Sequence, residues 1–181
     1  MKKLSLIVFA CAMLCSQLNA QTFTLKSKEL QGQATKEQIF NSFGCTGSNM
    51  SPQLYWENAP QGTKSFAVTM YDKDAPTGSG FWHWVVFDIP SSVTELKTDA
   101  GNISKGLAPK ECIQSNTDFG APGYGGPCPP EGHGAHEYKI TVYALKTDKL
   151  GLDKNATPAL VGFYLNQQTI SKASLIFYYS R

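Results

Sequence analysis

Two carboxylates and two imidazoles recur along this chain at positions that could line one small polar pocket. Asp72 and Asp74 flank Lys73 and precede Ala75-Pro76, and His83 follows between Trp82 and Trp84. Much later the chain reads Gly132-His133-Gly134-Ala135-His136-Glu137-Tyr138. A carboxylate accepts hydrogen bonds and can orient an imidazole, an imidazole changes charge near neutral pH, and a phenol sets one hydroxyl on an apolar ring. Such a set suits an anionic or zwitterionic group, so binding is expected ahead of catalysis. The chain lacks a G-x-S-x-G elbow, a G-x-x-x-x-G-K-[ST] phosphate loop and an H-E-x-x-H zinc helix. No catalytic residue is therefore assigned. His133 and His136 lie three apart in a glycine loop without fixed ligand geometry, and neither a metal nor a cofactor is expected.

Plainer readings stand beside these. Asp74-Ala75-Pro76-Thr77-Gly78 also reads as a turn, and His83 between two tryptophans as a hydrogen-bonded core histidine. Gly123-Tyr124-Gly125-Gly126-Pro127 could offer backbone N–H groups to an anion or simply close a tight loop.

The elements that must position these groups are mostly strands. Alternation or β-branched and aromatic runs predict strands over 22–26, 53–56, 64–71, 81–89, 138–145 and 174–179. Side chains alternate along a strand, which puts His136 and Tyr138 on one face and Glu137 on the other. The same rule groups Phe81, His83 and Val85 against Trp82 and Trp84. It also sets Asp72 and Asp74 beside Met70 if that strand runs far enough. Thr157-Pro158 reads as a cap and first turn, with Leu160, Val161, Tyr164 and Leu165 as an apolar stripe. A shorter helix is expected near 35–40. The pattern predicts a mainly β fold, an antiparallel β-sandwich with one or two peripheral helices, formed by a single domain over 21–181.

Residues 1–20 stand apart. Lys2-Lys3, a short apolar run from Leu4 to Leu14 and the stretch ending at Ala20 read as a signal peptide, so a periplasmic or secreted protein is expected. The run is shorter than the roughly 20 apolar residues a spanning helix needs. Ala10-Cys11 is a weaker lipoprotein signal. Of 16 basic and 14 acidic residues, the leader carries two basic and no acidic ones, so the remainder is formally neutral. That excludes the basic stripe expected of a nucleic-acid binder and a polybasic membrane anchor, and no later run is apolar enough to span a membrane. Cys45, Cys112 and Cys128 remain after the leader, enough for one disulfide in any of three pairings and one leftover thiol.

Taken together, the residues resemble the phosphatidylethanolamine-binding protein family, most closely its bacterial Raf kinase inhibitor-like (YbhB/YbcL) branch. The resemblance runs through Gly47-Ser48-Asn49-Met50-Ser51-Pro52-Gln53-Leu54 and Asp72-Lys73-Asp74-Ala75-Pro76-Thr77-Gly78-Ser79-Gly80-Phe81-Trp82-His83-Trp84. It continues through Asp118-Phe119-Gly120, Gly125-Gly126-Pro127-Cys128-Pro129-Pro130, His136-Glu137-Tyr138 and Ala159-Leu160-Val161-Gly162. It implies a β-sandwich with a surface pocket for phosphate-like anions or a phosphoethanolamine head group. Ligand-binding positions carried over by the resemblance are Asp72, Asp74, Pro76, His83, His136 and Tyr138, with Gly126, Cys128 and Pro130 from the loop before them. Lys73 stands where the family motif usually has proline, and Glu137 where it often has arginine. Anion binding is expected to tighten as pH falls through the histidine range, near about 6.5 for a free side chain. The alternative reading is an inhibitor or modulator of an extracytoplasmic protein, protease or kinase-like. A hydrolase using the same pocket ranks third.

Overall fold

The structure is a computed structural model that describes residues 21–181; the signal peptide expected over residues 1–20 lies outside the described residues. Eight strands and one α-helix follow in the order β1 Thr24–Lys26, β2 Leu54–Glu57, β3 Ser65–Asp72, β4 Phe81–Pro90, β5 Glu95–Leu96, β6 Ile113–Gln114, β7 His136–Leu145, α1 Pro158–Gln168 and β8 Thr169–Tyr179. They form a three-stranded sheet, β1-β2-β5, and a five-stranded sheet, β6-β4-β3-β7-β8. Every pairing between named strands is antiparallel. The mainly β, two-sheet architecture is the one the alternating pattern predicts.

β3 and β4 are buried on both faces, which explains their nearly continuous apolar sequence. One face contributes Phe66, Val68, Met70, Trp84 and Val86 to the main core with Leu54, Trp56, Ile140 and Phe177. The other contributes Ala67, Val85 and Phe87 to a second cluster covered by Val161 and Leu165 of α1. Those two helical residues lie four apart and so share a face. Thr157 caps the helix by accepting from the Leu160 N–H, and Pro158 opens its first turn.

Three sequence expectations shift. The helix expected near 35–40 is a single turn: the Gln38 and Ile39 N–H groups both reach Thr35 O, after which Phe40 N turns away to Pro127 O. β5 and β6 have two residues each, too few for alternation to register. β8 begins well before its expected start because β7 pairs with it along its whole length.

Candidate functional site

The site opens where β3 ends and β7 begins. Asp72 is the last residue of β3 and lies opposite Tyr138 of β7, so two segments distant in sequence meet through strand register. Asp72, His136 and Tyr138 all point to the core-facing side, as alternation along β7 predicts, while Glu137 points away and is half-buried.

His83 arrives on that side by a different route. Met70 pairs with Trp84 but Tyr71 pairs with Trp82, so His83 is an extra residue bulged out of β4. Trp84 packs in the main core and Val85 in the cluster under α1. Plain alternation from Trp84 would send the His83 ring toward the helix. The bulge instead re-aims it into the same hollow as Phe81, whose strand partner is Asp72. The sequence expectation that grouped His83 with Val85 and against Trp84 is thereby corrected, although His83 still meets Tyr138, with ring centroids 5.2 Å apart. The following loop takes up the bulge's backbone groups: Gly125 N–H donates to His83 O and Asp118 N–H to Trp82 O.

These groups line a cavity of about 180 Å³. Of the residues assigned from sequence, Asp72, Pro76, His83, Gly126, Cys128, Pro130, His136 and Tyr138 border it. Asp74 does not. β3 ends at Asp72, so alternation stops there. The Asp74 carboxylate turns outward, accepting the Glu137 N–H at 2.8 Å and pairing with Lys73 at 3.1 Å. Those two contacts hold its carboxyl below the usual range. Its own N–H donates to Asp72 Oδ1 at 2.8 Å. Asp74 thus ties β3 to β7 and steadies Asp72.

Sequence reasoning missed Phe43, Ala75, Thr77, Phe81 and Phe119 in the wall. Phe119 carried a faint signal, as an aromatic embedded in a glycine- and proline-rich segment. Phe43 carried none. It reaches the wall because a disulfide joins Cys45 to Cys128, with Cα atoms 6.0 Å apart across 83 residues of sequence. Among the three possible pairings this is the one formed. Cys112 stays a free, partly buried thiol whose pKa burial raises to about 11.

The hydrogen-bond pattern decides what the cavity offers. Asp72 Oδ2 lies 2.7 Å from His136 Nδ1, and a carboxylate acceptor there makes Nδ1 the donor. His133 Nδ1 lies 2.8 Å from His136 Nε2. His83 Nδ1 sits 2.8 Å from Gly125 O, which fixes its proton on that side and leaves Nε2 a lone pair while the ring is neutral. Burial lowers the His83 pKa, favouring that neutral form. The Tyr138 hydroxyl is fully buried next to the Asp72 carboxylate, yet the two do not reach the geometry of a full hydrogen bond, and no other described residue accepts from it. Burial first, then the nearby Asp72 carboxylate, raises the phenol pKa, so it stays protonated and able to donate.

Most of the loop's N–H donors are engaged within the protein. Tyr124 N–H goes to Gly101 O, Gly125 N–H to His83 O and Gly126 N–H to Asn49 Oδ1 at 2.7 Å. Pro127, Pro129 and Pro130 have no N–H at all. Gly126 is required for space, since a Cβ there would lie 2.0 Å from Gln38 O. Of the loop residues that border the cavity, only Cys128 keeps a backbone N–H with no acceptor among the described residues; the loop otherwise acts as a wall for the side-chain groups.

A sequence profile described as phosphatidylethanolamine-binding protein matches residues 30–180. The chain is 48% identical over 158 residues to the UPF0098 protein YbcL of Escherichia coli, covering 86% of each protein. It is 44% identical to the UPF0098 protein YbhB of the same organism, covering 78% of this chain and 89% of that one. The crystal structure of E. coli YbcL superposes with a TM-score of 0.86 at 47% identity, covering 88% of this chain and 98% of that one. Its strand framework, the pocket at the end of that framework and these similarities place the chain in the phosphatidylethanolamine-binding protein family.

Proposed function

We propose that this chain is an exported, non-enzymatic binding protein whose cavity takes a phosphate-like anion or a phosphoethanolamine-type head group. One observation carries the reading: the Tyr138 hydroxyl is buried and protonated beside the Asp72 carboxylate, makes no well-formed hydrogen bond among the described residues, and belongs to a residue that borders the cavity together with His83. A buried hydroxyl without a partner is costly. A ligand oxygen that accepts from it removes that cost, and His83 Nε2 becomes a second donor once protonated.

Binding is favoured over hydrolysis by what happens to the reactive groups along the wall. Cys128 is held in the disulfide, and the Thr77 hydroxyl donates to Gly80 O. Because burial lowers the His83 pKa, the tightening expected near 6.5 moves to lower pH. Titration calorimetry with inorganic phosphate and with phosphoethanolamine at stepped pH tests this. Affinity should rise as pH falls below about 6.5 and the rise should vanish in His83→Ala. A flat profile, or binding unaffected in both His83→Ala and Tyr138→Phe, defeats the reading. Export is tested separately by mass spectrometry of the protein recovered from its host; a chain that retains residues 1–20 contradicts a cleaved leader.

A further inference from the structure

The contact between His133 and His136 points beyond the pocket lining. His136 has both ring nitrogens engaged: Nδ1 donates to Asp72 Oδ2, and Nε2 lies 2.8 Å from His133 Nδ1. Whenever the His136 ring is neutral, its single proton sits on Nδ1 and Nε2 has only a lone pair. His133 must therefore be the donor. The chain of bonds runs inward from an exposed imidazole, through a buried one, to a buried carboxylate.

We propose that His133 is a resident stand-in for the hydrogen-bond donor of a ligand, so that a bound head group displaces it from His136 Nε2. Resting on the head-group reading above, the proposal narrows the ligand class. Whatever replaces His133 must itself donate, as the ammonium of an ethanolamine or the hydroxyl of a monoprotonated phosphate does.

The surroundings allow the displacement. Residues 131–135 are all exposed, and His133 lies between two glycines with positive φ, Gly132 at 73° and Gly134 at 87°. A Cβ at either glycine would meet no atom within 4 Å. The flanking backbone is anchored, through His133 N–H to Pro130 O and Gly132 N–H to Arg181 O. Rotation of the side chain alone breaks the contact, and exposed side chains rotate in picoseconds to nanoseconds.

The test compares wild type with His133→Ala using phosphoethanolamine and phosphocholine, whose ammonium is fully methylated. Removing the competitor should tighten phosphoethanolamine by about fivefold, the worth of one net hydrogen bond. Tightening of phosphocholine as well assigns the donor to the phosphate hydroxyl; tightening of phosphoethanolamine alone assigns it to the ammonium. In the protein alone, the ¹⁵N resonance of His136 Nε2 should move downfield in His133→Ala as the accepted bond is lost. Unchanged or weaker binding of both compounds overturns the proposal, as does an unmoved resonance, and either leaves the head-group reading standing. No binding of either compound by either protein overturns both.

Discussion

In the proposed binding role, Tyr138 would be a donor that keeps its proton and His83 an imidazole whose part depends on its own. Tyr138→Phe deletes one hydroxyl and little volume. It should weaken phosphate binding by about fivefold to tenfold while leaving the unfolding free energy unchanged or higher by up to about 1 kcal/mol, because a buried unpartnered hydroxyl goes with it. Calorimetry and chemical denaturation read the two effects separately. His83 makes a further statement about stability. Its folded pKa is depressed, so the unfolded chain takes up the proton first. The stability it contributes is complete above about 6.5 and is lost as pH falls toward the lower folded pKa, with a slope of at most about 1.4 kcal/mol per pH unit. Urea unfolding between pH 7.5 and 5.5 should show this slope, and His83→Gln should reduce it. Asp72 accepts from the buried His136 Nδ1–H and from the Asp74 N–H, so Asp72→Ala should cost about 2 kcal/mol in the same urea unfolding by leaving those donors unpaired.

The elements enter through two local irregularities. β4 needs its bulge at His83, and β3 needs to stop at Asp72 so that the next carboxylate can turn outward. Asp74 then acts as a clamp between strands. Asp74→Ala should lower the unfolding free energy by about 1 kcal/mol through loss of the Glu137 N–H bond, with phosphate affinity falling no more than about threefold. A loss of phosphate affinity as large as that of Tyr138→Phe would put Asp74 back among the ligand contacts. Alternation along β7 was legible because nothing interrupts it between His136 and Ala144. Along β4 it was not, since a bulge adds one residue without leaving a glycine or proline to announce it. His83 borders the cavity, as the family resemblance implied, but it gets there through the bulge and not on the Val85 face where alternation grouped it.

For the molecule as a whole, one covalent link holds the cavity wall to the segment that carries Phe43. Arg181, at the chain's end, donates to Phe43 O at 3.1 Å and lies 3.5 Å and 3.6 Å from the two disulfide sulfurs. The link closes 83 residues of chain, so its loss releases considerable unfolded-state entropy. Cys45→Ser with Cys128→Ser should lower the unfolding free energy by about 3 kcal/mol and weaken phosphate binding as Phe43 and the proline wall separate. Equal stability of the reduced and oxidised protein in calorimetric melts would show that the link does not stabilise the fold, and equal phosphate affinity that it does not hold the wall in place.

Much of this protein follows from local order in its residues. The strand periods of β3 and β7, the Thr157-Pro158 start of α1, the shared face of His136 and Tyr138 and the mainly β class all arise from interactions between near neighbours, which a linear pattern records. The conformation of the 35–40 turn, the aim of His83, the outward turn of Asp74, the choice of Cys45 and Cys128, and the engagement of the loop N–H groups were settled otherwise. Each depends on a partner tens of residues away, and only the packed sheets bring those partners within hydrogen-bonding or bonding distance.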